Sequence, residues 1–256
     1  MKASDVSESE WQTRVDLAAF YRLCAHFGWT DLIYTHISAR VPGEEEHFLL
    51  NPFGWLFDEV TASSLVKIDL EGNVVAPTDN KVHRAGFVIH SAIHSTRPDA
   101  QCVMHSHTRA GMAISMLKEG LLPLSQHAMM FTGRVGYHES EGFAVNLEER
   151  QRLIRDMGSN AVLILRNHGT LVAGSTIAET FSMMWHLEKA MQAQMDALAT
   201  QRELTLPLET VAQELGSIAF TGHLPPKPGA EPGPLGRLEW PAMLRFLDRQ
   251  DTSFRT

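Results

Sequence analysis

The stretch AVLILRNHGTLVAG, residues 161 to 174, reads as an apolar strand, a four-residue turn Arg166-Asn167-His168-Gly169, and a second strand. It is followed by Thr176-x-x-Glu179, a capping-box spacing that opens a long helix to about Ala199. Strand, turn, strand and helix in so short a span predict helices packed on a central sheet. Moving toward the N-terminus, Gln101 to His105 is another short strand, and it runs out into His105-Ser106-His107-Thr108. Ahead of it, His83, Phe87, His90 and His94 fall on one stripe of a helix from about Val82 to Thr96, stopped before Pro98. Helices near Arg109 to Leu117 and Leu147 to Met157, with a short strand at Arg134-Val135-Gly136, fill the interval between the two histidine-ended strands.

From Ile33 to Val75 the pattern is β-rich runs broken by Pro42-Gly43, Pro52-Phe53-Gly54 and Glu71-Gly72, as in an antiparallel meander. Before the meander, Ser7 and Glu10 have capping-box spacing, and an apolar stripe from Val15 to Phe27 ends at Gly28, so the first element is a helix. After the long helix, Pro and Gly supply 8 of the 12 residues from Pro225 to Gly236, which reads as an arm, and an amphipathic helix from Trp240 to Leu247 closes the chain. The expected organisation is a main domain over residues 1–220, then a Pro/Gly-rich arm and short C-terminal helix over 221–256. Trp240, Leu244 and Leu247 form an apolar face that has to bury somewhere, and a neighbouring chain is the expected partner.

The chain has 256 residues, 44% hydrophobic and 20% charged, which is the balance of a globular protein with one or two domains. Its formal net charge of −8 gives no electrostatic footprint for nucleic acid or for an anionic membrane. Cys24 and Cys102 belong to no CxxC pair and read as buried, reduced thiols. The N-terminus lacks an apolar signal core, and no run approaches the roughly 18 apolar residues that a membrane span needs. These features predict a cytoplasmic protein.

Thirteen histidines are the outstanding compositional feature. His105, His107 and His168 all stand where apolar strands end, the place where sites gather in sheets covered by helices. Three neutral imidazoles suit Zn²⁺, Fe²⁺, Co²⁺ or Mn²⁺ and leave positions open for a substrate. His90 and His94 have ligand-pair spacing without an HExxH, and with His83 they read instead as lining a polar pocket or satisfying buried hydrogen bonds. His127, in a loop, and His138, after a short strand, are candidate general acids or bases. No GxSxG elbow, Walker loop or GxGxxG in a strand–turn–helix setting is present, which removes the hydrolase, NTPase and dinucleotide readings.

The runs LIYTHISARVPG, NPFGWLFDEVTASSLVKID, AGFVIHSAIHSTRPDAQCVMHSHT and LILRNHGTLVAG resemble, in order and spacing, the class II aldolase/adducin family, and AGFVIHSAIH is similar to its adducin-like bacterial branch. The resemblance implies an α/β fold, an αβα sandwich with a central, mainly antiparallel sheet, assembled as a homotetramer with active sites between subunits. It implies that His105, His107 and His168 hold a divalent metal, Zn²⁺ first, with Fe²⁺ or Mn²⁺ as alternatives. The acid/base glutamate of the sugar-phosphate aldolases falls on Gly86, and their phosphate-binding Gly-Asn is replaced by Thr35-His36. Other members are decarboxylases of hydroxy acids and non-haem iron oxygenases.

The resulting expectation is a metal-dependent lyase-like enzyme, of aldolase or decarboxylase type, acting on a small oxo or hydroxy acid. His127 or Tyr137 is the expected proton donor, and Arg166 the expected carboxylate-binding residue. Phe53, Trp55, Met129, Met130 and Phe131 suit an apolar tail. The alternatives are a non-haem Fe(II) oxygenase acting on an aryl 2-oxo or hydroxy acid, and a catalytically lapsed adducin-like binding protein.

Overall fold

The computed structural model describes residues 1–142, 147–219 and 235–256. Helix α1 (Glu8–Phe27) starts where the Ser7 hydroxyl accepts from the Glu10 amide, and ends at Gly28 in the left-handed conformation, with φ 71°. The meander follows as β1 (His36–Val41), β2 (Glu44–Leu50) and β3 (Val66–Asp69). Then come α2 (Arg84–Thr96), β4 (Cys102–Ser106), α3 (Arg109–Ser115), α4 (Gln126–Met129), β5 (Val135–His138), α5 (Glu149–Met157), β6 (Val162–Leu165) and β7 (Gly169–Gly174). Helices α6 (Ile177–Ala199), α7 (Glu209–Ile218) and α8 (Glu239–Asp248) complete the order.

The strands form one sheet in the order β3-β2-β1-β4-β7-β6-β5. Neighbours are antiparallel except β5 and β6, which run parallel with Val135 opposite Val162. Every residue of β1, β4, β6 and β7 is buried, because helices cover both faces. The two-residue period of a strand divides the core. Ile37, Ala39, Cys102, Met104, Ile164 and Val172 join the cluster containing α1 and α6 residues. The residues between them, Val103, Leu163, Leu165, Leu171 and Ala173, join the cluster under α2 and α5. This is the αβα sandwich with a mainly antiparallel sheet, and His105 falls on the α2/α5 side with Val103.

Several elements differ from the sequence reading. His127 does not lie in an irregular loop: it belongs to the single turn of α4, which Ser125 caps by accepting from the Ala128 amide. Strand β5 continues through Tyr137 and His138, past Gly136. The C-terminal helix α8 buries its face within the same chain: Trp240 stands edge-on to Phe20 at 6.3 Å, and its indole N–H donates to Asp16 at 3.1 Å. Residues 225–234 of the Pro/Gly-rich arm lie outside the described residues. Among the described residues no helix is long and apolar enough to cross a membrane.

Candidate metal centre

Strand β4 delivers His105, and its register against β7 fixes what that ring touches: the Nδ1–H donates to the Thr170 carbonyl at 3.0 Å. The chain leaves the strand immediately afterwards. Thr108 becomes the cap of α3, accepting from the Gly111 amide at 3.0 Å and donating to Glu188 at 2.7 Å. His107, two residues on, faces the same side as His105, as the two-residue period of an extended segment requires. Its Nδ1 lies 2.8 Å from Asp31 Oδ2.

His168 arrives from the turn between β6 and β7, where Asn167 has φ 56°. Gly169 makes the approach possible, since a Cβ there would sit 2.4 Å from the Ser106 carbonyl oxygen and 3.0 Å from the His107 ring. His107 Nε2 lies 2.9 Å from both His105 Nε2 and His168 Nε2. The donor atoms of all three rings lie within 4.8 Å of one another.

These distances are not ordinary hydrogen bonds throughout. The carbonyl at His105 and the carboxylate at His107 each take a proton on Nδ1, so with both rings neutral, as ligation requires, their Nε2 atoms present lone pairs to each other. Two lone pairs at 2.9 Å repel, and a cation between the rings removes the conflict. Burial, followed by the neighbouring imidazoles, holds His105 well below its usual pKa, and burial with His107 brings His168 down to about 4. Both rings are therefore neutral at pH 7, as metal ligands must be. The donor set fits a divalent transition-metal ion.

Beside the triad lies a buried polar chain that includes the pair His90 and His94. His36 stands opposite His105 in the β1–β4 register, with ring centroids 5.1 Å apart. Its Nδ1 is 2.7 Å from His90 Nε2, and the Ser38 hydroxyl joins His90 to His94, lying 2.7 Å from His94 Nε2. Burial is the first cause lowering the pKa of His36, His90 and His94. The space next to Gly86 belongs to His36: a Cβ on residue 86 would lie 2.8 Å from its ring.

The other site candidates are held elsewhere. His127 packs on His186 of α6, with centroids 5.0 Å apart. The Tyr137 hydroxyl accepts from the Leu121 amide at 3.1 Å, and Arg166 lies over the Tyr137 ring at 4.3 Å. The Arg166 guanidinium donates to the carbonyls of Leu117 and Lys118, so its bonds brace the segment after α3. His138 pairs with Asp156 at 2.8 Å. The apolar group does not assemble as one wall: Phe131 and Met130 pack into the large core, while Phe53 lies 4.5 Å from His83. The residues that do touch the triad and that sequence reasoning missed are Asp31 and Thr170, with His36 as its ring neighbour; the pairing of β1 with β4 was the signal that would have exposed His36.

Known proteins share this fold. The family model for the class II aldolase and adducin N-terminal domain matches residues 15–195. A protein of Caulobacter vibrioides assigned by name to aldolase class 2 is 50% identical over 97% of this chain and 94% of its own length. Alpha-adducin of Rattus norvegicus is 43% identical over 92% of this chain, which spans 33% of that protein. Among solved structures, an aldolase II superfamily protein from Pseudomonas syringae superposes with a TM-score of 0.90 at 47% identity, covering 99% of this chain and 98% of that one. An L-fuculose 1-phosphate aldolase from Glaciozyma antarctica gives 0.82 at 28% identity, over 97% and 93% of the two chains.

Proposed function

The chain belongs to the class II aldolase and adducin family, and from that membership we propose that it is a metal-dependent lyase-like enzyme acting on a small oxo or hydroxy acid. One observation carries the reading: His105, His107 and His168 bring their Nε2 atoms together, with two of the Nδ1 atoms committed to acceptors. These three side chains would hold the ion, Zn²⁺ first and Fe²⁺ or Mn²⁺ as alternatives. When bound, such an ion polarises a carbonyl or carboxylate oxygen as a Lewis acid.

The chain's own residues supply the rest. Gly86 offers no carboxylate, so proton transfer is assigned to His127 or Tyr137, which are held away from the triad within one chain and would reach it only across the contact with a neighbouring subunit; the Tyr137 hydroxyl accepts from Leu121 and retains its hydrogen to give. Arg166 supports that role by packing on the Tyr137 ring. Thr35-His36 stands where the sugar-phosphate aldolases carry their phosphate-binding Gly-Asn, which favours an unphosphorylated ligand over a sugar phosphate. The enzyme acts as a cytoplasmic homotetramer on a small molecule, with neither nucleic acid nor membrane as partner.

The adducin relatives favour a second reading, a binding protein without catalysis. Metal analysis of protein purified without chelator and without a nickel affinity step separates the readings. About one equivalent of zinc or manganese per chain supports the lyase. Iron turns the assignment to a non-haem oxygenase, and no metal leaves the binding protein.

A further inference from the structure

We propose that Asp31 is a positioning residue of the metal centre, fixing His107 in the tautomer and orientation that ligate and thereby setting the affinity of the site. The proposal rests on the metal reading above. The ligand rings are not held alike: a neutral carbonyl of Thr170 takes the Nδ1–H of His105, whereas a carboxylate takes that of His107 at 2.8 Å. A carboxylate is the stronger acceptor. It stabilises the Nδ1–H tautomer, leaves the Nε2 lone pair facing the other two ligands, and makes that nitrogen a better donor to a cation.

The backbone is shaped to deliver this carboxylate. Asp31 opens a turn in which the Tyr34 amide donates to its carbonyl at 2.9 Å, and the residue inside the turn, Leu32, adopts the left-handed conformation at φ 47°. Leucine adopts that conformation reluctantly, because its Cβ crowds the following carbonyl oxygen, so surrounding structure has to hold it. The turn sits between the Gly28 cap of α1 and the start of β1, and β1 pairs with β4, the strand that carries His105. A strained turn placed next to a ligand strand thus supplies a single negative charge behind one imidazole.

The test uses the full chain, stripped of metal and retitrated with Zn²⁺ or Co²⁺ against a chromophoric chelator, with ¹⁵N NMR of the histidine rings in the metal-free state. Asp31→Asn should fold with an unchanged melting temperature in the metal-free state and lose roughly 10–100-fold in affinity. Its His107 ring should shift away from the Nδ1–H tautomer. Asp31→Glu should keep that tautomer and recover most of the affinity. If Asp31→Asn binds within about twofold of the natural chain, or leaves the His107 tautomer unchanged, the proposal is overturned. If the natural chain takes up no metal, the metal reading fails, and the ring tautomers of the metal-free chain still decide whether Asp31 sets His107.

Discussion

At the scale of single residues the site is a set of matched volumes and neutral charges. Gly86 and His36 are one such pair. The His36 ring is buried and tied to His90, so it cannot swing away from a methyl group placed 2.8 Å from it. Gly86→Ala should lower stability by about 1–3 kcal/mol, the usual cost of overpacking, and His36→Ala in the same chain should make that substitution nearly neutral. Equal losses from Gly86→Ala in both backgrounds, read by thermal melting, would show that the two residues do not compete for this space. The buried imidazoles make a second prediction. His94 is held down at about 3, and burial lowers His36, His90 and His105 also. In the unfolded chain the same rings protonate near pH 6.5, so unfolding takes up protons between that pH and the folded values. The stability gained by keeping them neutral is complete above about pH 6.5 and is lost as the pH falls. A ring shifted as far as His94 removes on the order of 2 kcal/mol by pH 5. The melting temperature should therefore fall steeply from about pH 7.5 to 5, with a shallower slope for His94→Gln; a flat profile would contradict the burial of neutral rings.

Among the elements, α8 shows how a segment read as an appendage becomes part of the core. Trp240 packs against Phe20 and Phe181 and donates to Asp16, whose carboxyl is already raised by burial. Trp240→Ala removes this packing and leaves Asp16 short of a donor, at a cost of about 3–5 kcal/mol. Denaturant unfolding measures it, and a loss below about 1 kcal/mol would mean that α8 is not anchored there. Much of this architecture was legible in sequence. Ser7 and Thr176 cap helices because their hydroxyls reach the amide three residues on, and the apolar runs of β4, β6 and β7 are continuous because helices cover both faces. Gly136 read as a strand end, yet it lies inside β5, where a Cβ would meet the Asp156 carbonyl oxygen at 2.3 Å. Close packing by α5, and not a turn, explains that glycine. Helix α4 is too short for periodicity to register, whereas α7 carries Val211, Leu215 and Ile218 at helical spacing, a legible signal to which the sequence reading gave no element. The ligand triad was visible because its histidines terminate apolar strands. Asp31 was not, since its contact depends on a left-handed leucine that no residue pattern announces.

On the scale of the whole molecule, the three clustered histidines come from the end of β4 and the β6–β7 turn, and the loops around them carry large exposed apolar side chains. Leu32 is 68% exposed and Tyr34 49%, both just beyond Asp31, while Phe53 at 41% lies against His83, a neighbour of His36. Exposed leucines scattered singly need no explanation, but large side chains gathered on the loops beside one site mark a surface that another molecule covers. A small substrate is too limited in area to cover both loops. In the proposed tetramer a second copy of the chain would cover them. Light scattering at micromolar concentration should therefore give about four times the 28.5 kDa mass of one chain. Replacing Leu32 and Phe53 together by Ser should shift the mass toward smaller species while the metal-free monomer keeps its helical circular dichroism. Because Leu32 pays a backbone penalty as leucine, Leu32→Gly serves as the control: it relieves the left-handed strain, and any dissociation it causes reports the lost apolar contact alone. A natural chain that scatters as a monomer across that concentration range would leave these side chains without a covering partner and remove the tetramer from the proposed function.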